Sequence, residues 1–294
     1  MKLSAMCIRC QIDRQEERIR GIADENKKSA YLKEAASLIA SASDDASAPY
    51  LIFRINAIYK RYFGEFQNYE KEKSEFNLLM LELEAGIEED IRSGKNGEEI
   101  LKNALKFARA ANYIDFAAAN QVKKSCLYEL LSQAKGESLD ETAFARFKGD
   151  LEKAEKLAYL TDNCGEIVAD KLLIRILQEQ YPQIEITAIV RGEAVVNDAT
   201  MEDARRTGLT ETVKVIGNGN GVAGTEIAML SGEARQVIGS ADIIISKGQG
   251  NFETLYGCGL NIYYLFLCKC EWFTKRFGME RLKGVFVNER DVRL

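Results

Sequence analysis

Histidine is absent from this chain of 294 residues. That absence excludes a histidine general base, a Ser-His-Asp triad and any zinc or iron site built on imidazole. Whatever chemistry the chain performs must use carboxylates, lysine, cysteine or a bound metal. Proline is scarce, with two residues, and tryptophan occurs once. No apolar run is long enough to span a bilayer. The first residues, Met1 to Cys7, lack the apolar stretch of a secretory leader. A formal net charge of -5 offers no basic field for nucleic acid. Seven cysteines without a leader point to a reducing compartment, so a cytoplasmic location is expected and disulfides are the poorer reading. With 46% hydrophobic residues, the chain has the composition of a soluble globular protein.

Two grammars divide the chain. Residues 1–155 read as a helical region. Pro49 is its only proline, and helix-period apolar spacing recurs in Ala30 to Ile39, Tyr50 to Tyr62, Phe76 to Ile91, Ile100 to Ala110 and Cys126 to Ala134. Phe76, Leu79, Met80, Leu83 and Ile87 form one stripe, with Leu78 and Leu81 off it and several glutamates on a solvated face. From Lys156 onward the pattern becomes strand and helix in alternation. Short strand-like runs fall at Lys156 to Leu160, Ile184 to Val190, Val213 to Ile216, Ala241 to Ser246, Ile262 to Leu267 and Gly284 to Val287. This predicts an α/β fold over residues 156–294: a Rossmann-like, mostly parallel sheet with helices on both faces.

Polar residues gather where these strands end. Asp162 and Asn163 follow the first, Arg191 the second and Asn218 the third; Lys247 and Lys269 follow the next two. Ligands of open α/β sheets bind at that edge. Thr161-Asp162-Asn163-Cys164-Gly165-Glu166 joins a strand to a helix, and its oxygens suit a hard divalent cation. Asp162 and Asn163 would otherwise cap the next helix. Asp198, in Asn197-Asp198-Ala199-Thr200, supplies a second oxygen-rich corner, which favours metal over capping; Asn197 or Asp198 would otherwise cap a helix beginning near Ala199. Glu166 reads either as a capping-box carboxylate or as a group orienting water. Asp170, one turn on, reads as structural. Ser246-Lys247-Gly248-Gln249-Gly250-Asn251 pairs a strand-end lysine with glycines that admit close backbone approach. Neither it nor Gly217-Asn218-Gly219-Asn220-Gly221 has the spacing of a nucleotide fingerprint. Lys269, closing an apolar strand, needs a phosphate or a carboxylate partner. Cys7-Ile8-Arg9-Cys10 is half of a four-cysteine site, which Cys268 and Cys270 would complete; buried free thiols are the plainer alternative. Cys164 sits near a helix start, where a thiol gains reactivity, although a small residue is all the turn requires.

Taken together, these stretches resemble the damage-control phosphatase family, once called domain of unknown function 89, in the branch with an N-terminal CxxC. The resemblance rests on Met6-Cys7-Ile8-Arg9-Cys10, the spaced Tyr69, Lys73 and Asn77, and Asn112-Tyr113-Ile114-Asp115. It rests also on Asp162-Asn163-Cys164-Gly165-Glu166, on Arg191-Gly192 with Asn197-Asp198-Ala199-Thr200, and on Lys247 to Glu253. Cys164 replaces a usual alanine, Ala111 a usual glycine, and Leu267 a frequent arginine. The resemblance implies a divalent cation (manganese, magnesium, cobalt or nickel) on Asp162, Asn163 and Asp198. It implies hydrolysis of small phosphorylated metabolites, either sugar phosphates or damaged cofactor precursors. Lys269 falls where the family places a phosphate-binding lysine, with Lys247, Asn112, Arg191 and Asn251 as further substrate contacts. Asp115 or Glu166 would position or deprotonate the attacking water, with Asp162 as an alternative nucleophile.

Two other functions fit the same pattern less well. An S-adenosylmethionine-dependent methyltransferase would use the sheet edge, but no glycine-rich loop follows the first strand; cofactor binding tests it. A non-enzymatic protein that binds a metal or phosphometabolite would retain the same residues without turnover. No nucleic-acid or membrane partner is expected, and a homo-oligomer is compatible with the composition.

Overall fold

The computed structural model describes residues 3–65, 69–114, 127, 129, 131–133 and 136–292. Helices α1 (Ala5–Ile19), α2 (Glu25–Ala40), α3 (Ala48–Phe63), α4 (Glu70–Arg92), α5 (Gly97–Ala111) and α6 (Glu141–Leu151) precede the first strand. Of the expected helical segment Cys126 to Ala134, only Leu127, Glu129 and residues 131–133 lie within the described residues. Alternation then begins with β1 (Lys156–Leu160), α7 (Glu166–Gln180), β2 (Glu185–Val190), α8 (Met201–Arg206), α9 (Leu209–Thr212) and β3 (Lys214–Gly217). It continues with α10 (Gly232–Ser240), β4 (Ile243–Lys247), α11 (Gln249–Leu255), β5 (Ile262–Leu267), α12 (Glu271–Phe277) and β6 (Gly284–Asn288).

The strands form one sheet in the order β3-β2-β1-β4-β5-β6. Neighbours from β3 to β5 run parallel, and β6 pairs antiparallel with β5. After β3 the chain returns across the sheet to place β4 beside β1. A crevice therefore opens between the carboxyl ends of β1 and β4, where the winding direction reverses.

Alternation along each strand sends side chains to two cores. Leu157 and Tyr159 of β1 join a cluster with Leu101, Leu105 and Phe107 of α5 and Ile167, Leu173 and Leu177 of α7. Ala158 and Leu160 point the other way, towards Ala234, Ile238, Phe252 and Phe273. Helix α7 lies between the sheet and helices α4 and α5, which explains why most of its residues are buried, Glu166, Asp170 and Lys171 among them. Thus α4 and α5 share the core of the α/β sheet. Helices α1 to α3 hold a smaller cluster around Tyr31, Ile55 and Ile58.

Helix α4 differs from its apolar stripe in two respects: Leu81, expected off the stripe, packs partly buried against the core, and polar residues join the buried face. Leu78 is exposed as the pattern requires, but Lys73 and Asn77 are buried beside Leu79, Met80 and Ile87. The cysteine pair Cys7 and Cys10 lies on α1, capped by Ser4, whose hydroxyl accepts the Cys7 N–H at 3.1 Å. Among the described residues, no three cysteine, aspartate or glutamate side chains are placed to hold one ion. Cys268 and Cys270 therefore do not complete a four-cysteine site with them. Among the described residues, no helix is long and apolar enough to cross a membrane.

Candidate metal and phosphate site

The first corner leaves β1 at Leu160. Thr161 extends the strand's pairing, its N–H and hydroxyl both donating to Ile189 O at 3.1 Å. Gly165 then turns the chain into α7 with φ +69°, a conformation that favours glycine. No side chain caps α7, so the capping reading of Asp162 and Asn163 is not the one adopted. The second corner leaves β2. Thr200, not Asn197 or Asp198, is the N-cap of α8, which begins at Met201. Asp198 is buried and pairs with Arg191 instead.

These two corners bond to each other. Cys164 N–H donates to Asn197 O at 2.8 Å, and Ala199 N–H donates to Asp162 O at 2.7 Å. Asn163 and Asp198 face one another as an isolated bridge, and the Asn197 amide donates to Asn163 Oδ1 at 2.7 Å. Asn197, expected only as a cap, is thus a member of the site.

Asp162 is the centre. Its Oδ2 accepts hydrogen bonds from Asn112 Nδ2 at 2.9 Å and Asn163 Nδ2 at 2.8 Å. Its Oδ1 faces Arg191 Nη2 at 3.6 Å, beyond hydrogen-bond reach. Burial, then the nearby charges of Glu166 and Asp198, push the Asp162 carboxyl up to about 8, while Lys269 and Arg191 pull it partly back. Arg191 is anchored through Nε to Asp198 Oδ2 at 2.5 Å and through Nη1 to Gly224 O and Asn251 Oδ1. Its buried Nη2 has no hydrogen-bond partner among the described residues. A buried guanidinium N–H left in that state is placed for a ligand oxygen.

Glu166 and Lys247 lie deeper. Lys247 follows its strand inward: its ammonium is fully buried, 2.5 Å from Glu166 Oε1, 2.5 Å from Asp170 Oδ1 and 2.9 Å from Ala108 O. This corrects the expectation that Lys247 contacts substrate phosphate, because three acceptors already occupy its N–H groups. Burial lowers its proton affinity, and the two carboxylates more than restore it, leaving its pKa raised. Glu166 also accepts from Asn112 Nδ2 and Asn163 Nδ2. As the first residue of α7 it is not at the capping-box position, although its Oε2 reaches back to the Asn163 N–H at 3.4 Å; paired with Lys247, it anchors the amides that orient Asp162. Asp170 accepts the Tyr159 hydroxyl at 2.7 Å, and burial raises its pKa to about 6.

Asn112 reaches from the end of α5 to Asp162 and Glu166, and its Oδ1 accepts the Leu267 N–H at 3.1 Å. Asn251 ties Arg191 and Thr225 to Thr161 O and Lys247 O. Both amides are fully buried and act within the wall rather than on its surface. Lys269 is half-buried beyond β5, close enough to lower the Asp162 pKa. Asp115 lies outside the described residues. Cys164 is fully buried, and burial followed by the Asp203 charge raises its thiol pKa, which removes the reactive-thiol reading.

The donor set suits a hard cation. Four buried carboxylates, Asp162, Glu166, Asp170 and Asp198, are faced by two buried cationic side chains, Arg191 and Lys247. That surplus of negative charge, together with oxygen-only donors on Asp162, Asn163 and Asp198, fits a divalent metal. The set contains two carboxylates and one amide oxygen, since Glu166 turns away to Lys247.

Fold and site thus define an α/β protein with an acid–amide corner at the reversal point of its sheet. A family model for the damage-control phosphatase ARMT1-like domain matches residues 3–283, and the chain belongs to that family. A protein named damage-control phosphatase from Archaeoglobus fulgidus is 27% identical over 286 residues, covering 95% of this chain and 96% of its own. Damage-control phosphatase PH1575 from Pyrococcus horikoshii is 33% identical over 175 residues, 57% of this chain and 58% of its own. The crystal structure of that duf89 family protein superposes with a TM-score of 0.82 at 25% identity, covering 98% of this chain and 99% of the other. Relatives bearing this name support a phosphatase.

Proposed function

We propose that this protein is a metal-dependent phosphomonoester hydrolase acting on small phosphorylated metabolites, sugar phosphates or damaged cofactor precursors. The observation that carries the reading is Arg191 Nη2, buried without a hydrogen bond among the described residues and 3.6 Å from Asp162 Oδ1 inside a surplus of carboxylate charge. A cation and a phosphate oxygen together complete such a site, the one for the carboxylates and the other for the guanidinium. Asp162, Asn163 and Asp198 would hold the cation: manganese, magnesium, cobalt or nickel. When bound, it supplies charge neutralisation at the phosphoryl group and acidifies water. Arg191 and Lys269 hold the phosphate oxygens and oppose the negative charge that grows as the ester P–O bond breaks and the P–O bond from water forms. Asn112 and Asn163, themselves held by Glu166, keep Asp162 Oδ2 fixed, so Oδ1 remains directed at Arg191.

The test is phosphate release from a panel of sugar phosphates and phosphorylated cofactor fragments, with each of the four metals, for wild type and Asp162→Ala. Metal-stimulated release that the substitution abolishes is expected. Release that survives in Asp162→Ala, or Asp198→Ala, would overturn the reading.

A further inference from the structure

Lys73 and Asn77 on α4 are the anomaly left over from the fold. They lie one turn apart on a buried face, with exposures of 7% and 2%, where apolar side chains would pack without an ion pair. Neither touches the residues assigned to the cation. Asn77 Oδ1 accepts the Gly165 N–H at 2.6 Å, and Asn77 Nδ2 donates to Asp203 Oδ1 at 2.8 Å. Asp203 Oδ2 accepts the Thr200 N–H and the Thr200 hydroxyl, both at 2.8 Å, and pairs with Lys73 Nζ at 2.6 Å. Gly165 is two residues beyond Asn163, and Thr200 is two residues beyond Asp198.

We infer that Asn77 and Asp203, with Lys73, form a positioning strut that sets the separation of the two cation-bearing corners. It rests on the cation reading above. Each corner is gripped on its helix side, one by Asn77 and the other by Asp203, and the two grips are bonded to each other. The strut hangs from α4, so the helical part of the chain determines the spacing of ligands carried by the sheet. Its geometry is directional: an amide must donate to a carboxylate, while the amide oxygen accepts from Gly165. Exchanging the two side-chain types keeps the hydrogen bonds to Gly165 and Thr200 and the one between the two side chains, while the Lys73 ammonium meets an amide oxygen at 203 in place of a carboxylate. Asp at 77 still accepts from Gly165, and Asn at 203 donates to it while accepting from Thr200. A single exchange does not: Asn77→Asp sets two carboxylates face to face, and Asp203→Asn sets amide against amide.

The experiment is calorimetric titration of Mn2+ into the full chain as wild type, Asn77→Asp, Asp203→Asn and the double exchange, with thermal unfolding of each. Each single variant is expected to weaken Mn2+ binding roughly tenfold or more, as is usual when partners of metal ligands are altered. The double exchange is expected to return to within roughly threefold of wild type, the signature of residues that act as a pair. Singles that bind Mn2+ like wild type, changing only their unfolding temperature, would overturn the strut, as would a double that adds the two losses. If a single variant does not fold, the double decides alone: wild-type affinity supports the strut, and weakened affinity or misfolding overturns it. A wild-type chain that does not bind Mn2+ would overturn the cation reading itself, and the strut with it.

Discussion

Gly248 and Asp162 approach so closely across the sheet's reversal point that a Cβ on Gly248 would overlap the carboxylate atoms of Asp162. Gly248 also holds φ at +77°, where a side chain is strained regardless of space. The loop after β4 therefore forms one wall of the Asp162 pocket with its backbone alone. Gly248→Ala is expected to destabilise the fold by more than about 1 kcal/mol. Displacing Asp162 by about an ångström is expected to lower metal-dependent phosphate release roughly 100-fold. Urea denaturation and a phosphate-release assay measure the two effects separately.

Lys247 neutralises Glu166 and Asp170 with all three charges out of water. Lys247→Met leaves two buried carboxylates without their cation. A loss of about 3–5 kcal/mol is expected, because removing one partner strands the other charge. Adding Glu166→Gln and Asp170→Asn to the same chain should recover part of that stability. Denaturant midpoints of the single and triple variants check it; a single variant as stable as wild type would sink the argument.

Asp203 gives a pH dependence of stability. Burial alone would raise its carboxyl, but Lys73 and the Thr200 N–H and hydroxyl outweigh it and hold the pKa below the ordinary value. A depressed folded-state pKa stabilises above the unfolded value, near 3.9. That contribution is lost as pH falls through the folded value. Asp203→Asn should therefore cost more stability at pH 7 than at pH 3, as read from urea midpoints at the two values.

Thiol labelling distinguishes the cysteines. Cys10 is exposed on α1, whereas Cys164 and Cys268 are buried with raised pKa values. Iodoacetamide should modify Cys10 in the native protein and reach Cys164 and Cys268 only after unfolding. Mass spectrometry of timed digests reports the order; early labelling of Cys164 would contradict its burial.

Much of the sheet was readable in advance because periodicity is a local property. Runs such as Ile262 to Leu267 and Ile184 to Val190 lie within a residue or two of the strands formed. The winding direction and the antiparallel β6 were not readable, since they depend on which edges pair. Asp162, Asn163 and Asp198 stood out because acid and amide residues at strand ends are unusual company for a buried turn. The partners of those residues were hidden by distance along the chain. Asn112 is 50 residues from Asp162, and Asn77 is 88 from Gly165. The spacing of Tyr69, Lys73 and Asn77 along one helix was the only available signal for the strut, and it carried no direction.

The sequence by itself determined the chemistry open to this protein: with no imidazole, oxygen donors and cationic side chains are what its crevice offers. It also determined the strand–helix alternation that brings those groups to one edge, because apolar spacing decides local structure. Only the tertiary structure decided their roles. Lys247 and Lys269 look alike as strand-end lysines, yet one is enclosed with Glu166 and Asp170 and the other lies half-buried near Asp162. The difference arises from what packs over each strand end. Burial and the charges brought alongside determine whether a lysine neutralises the interior or meets a ligand.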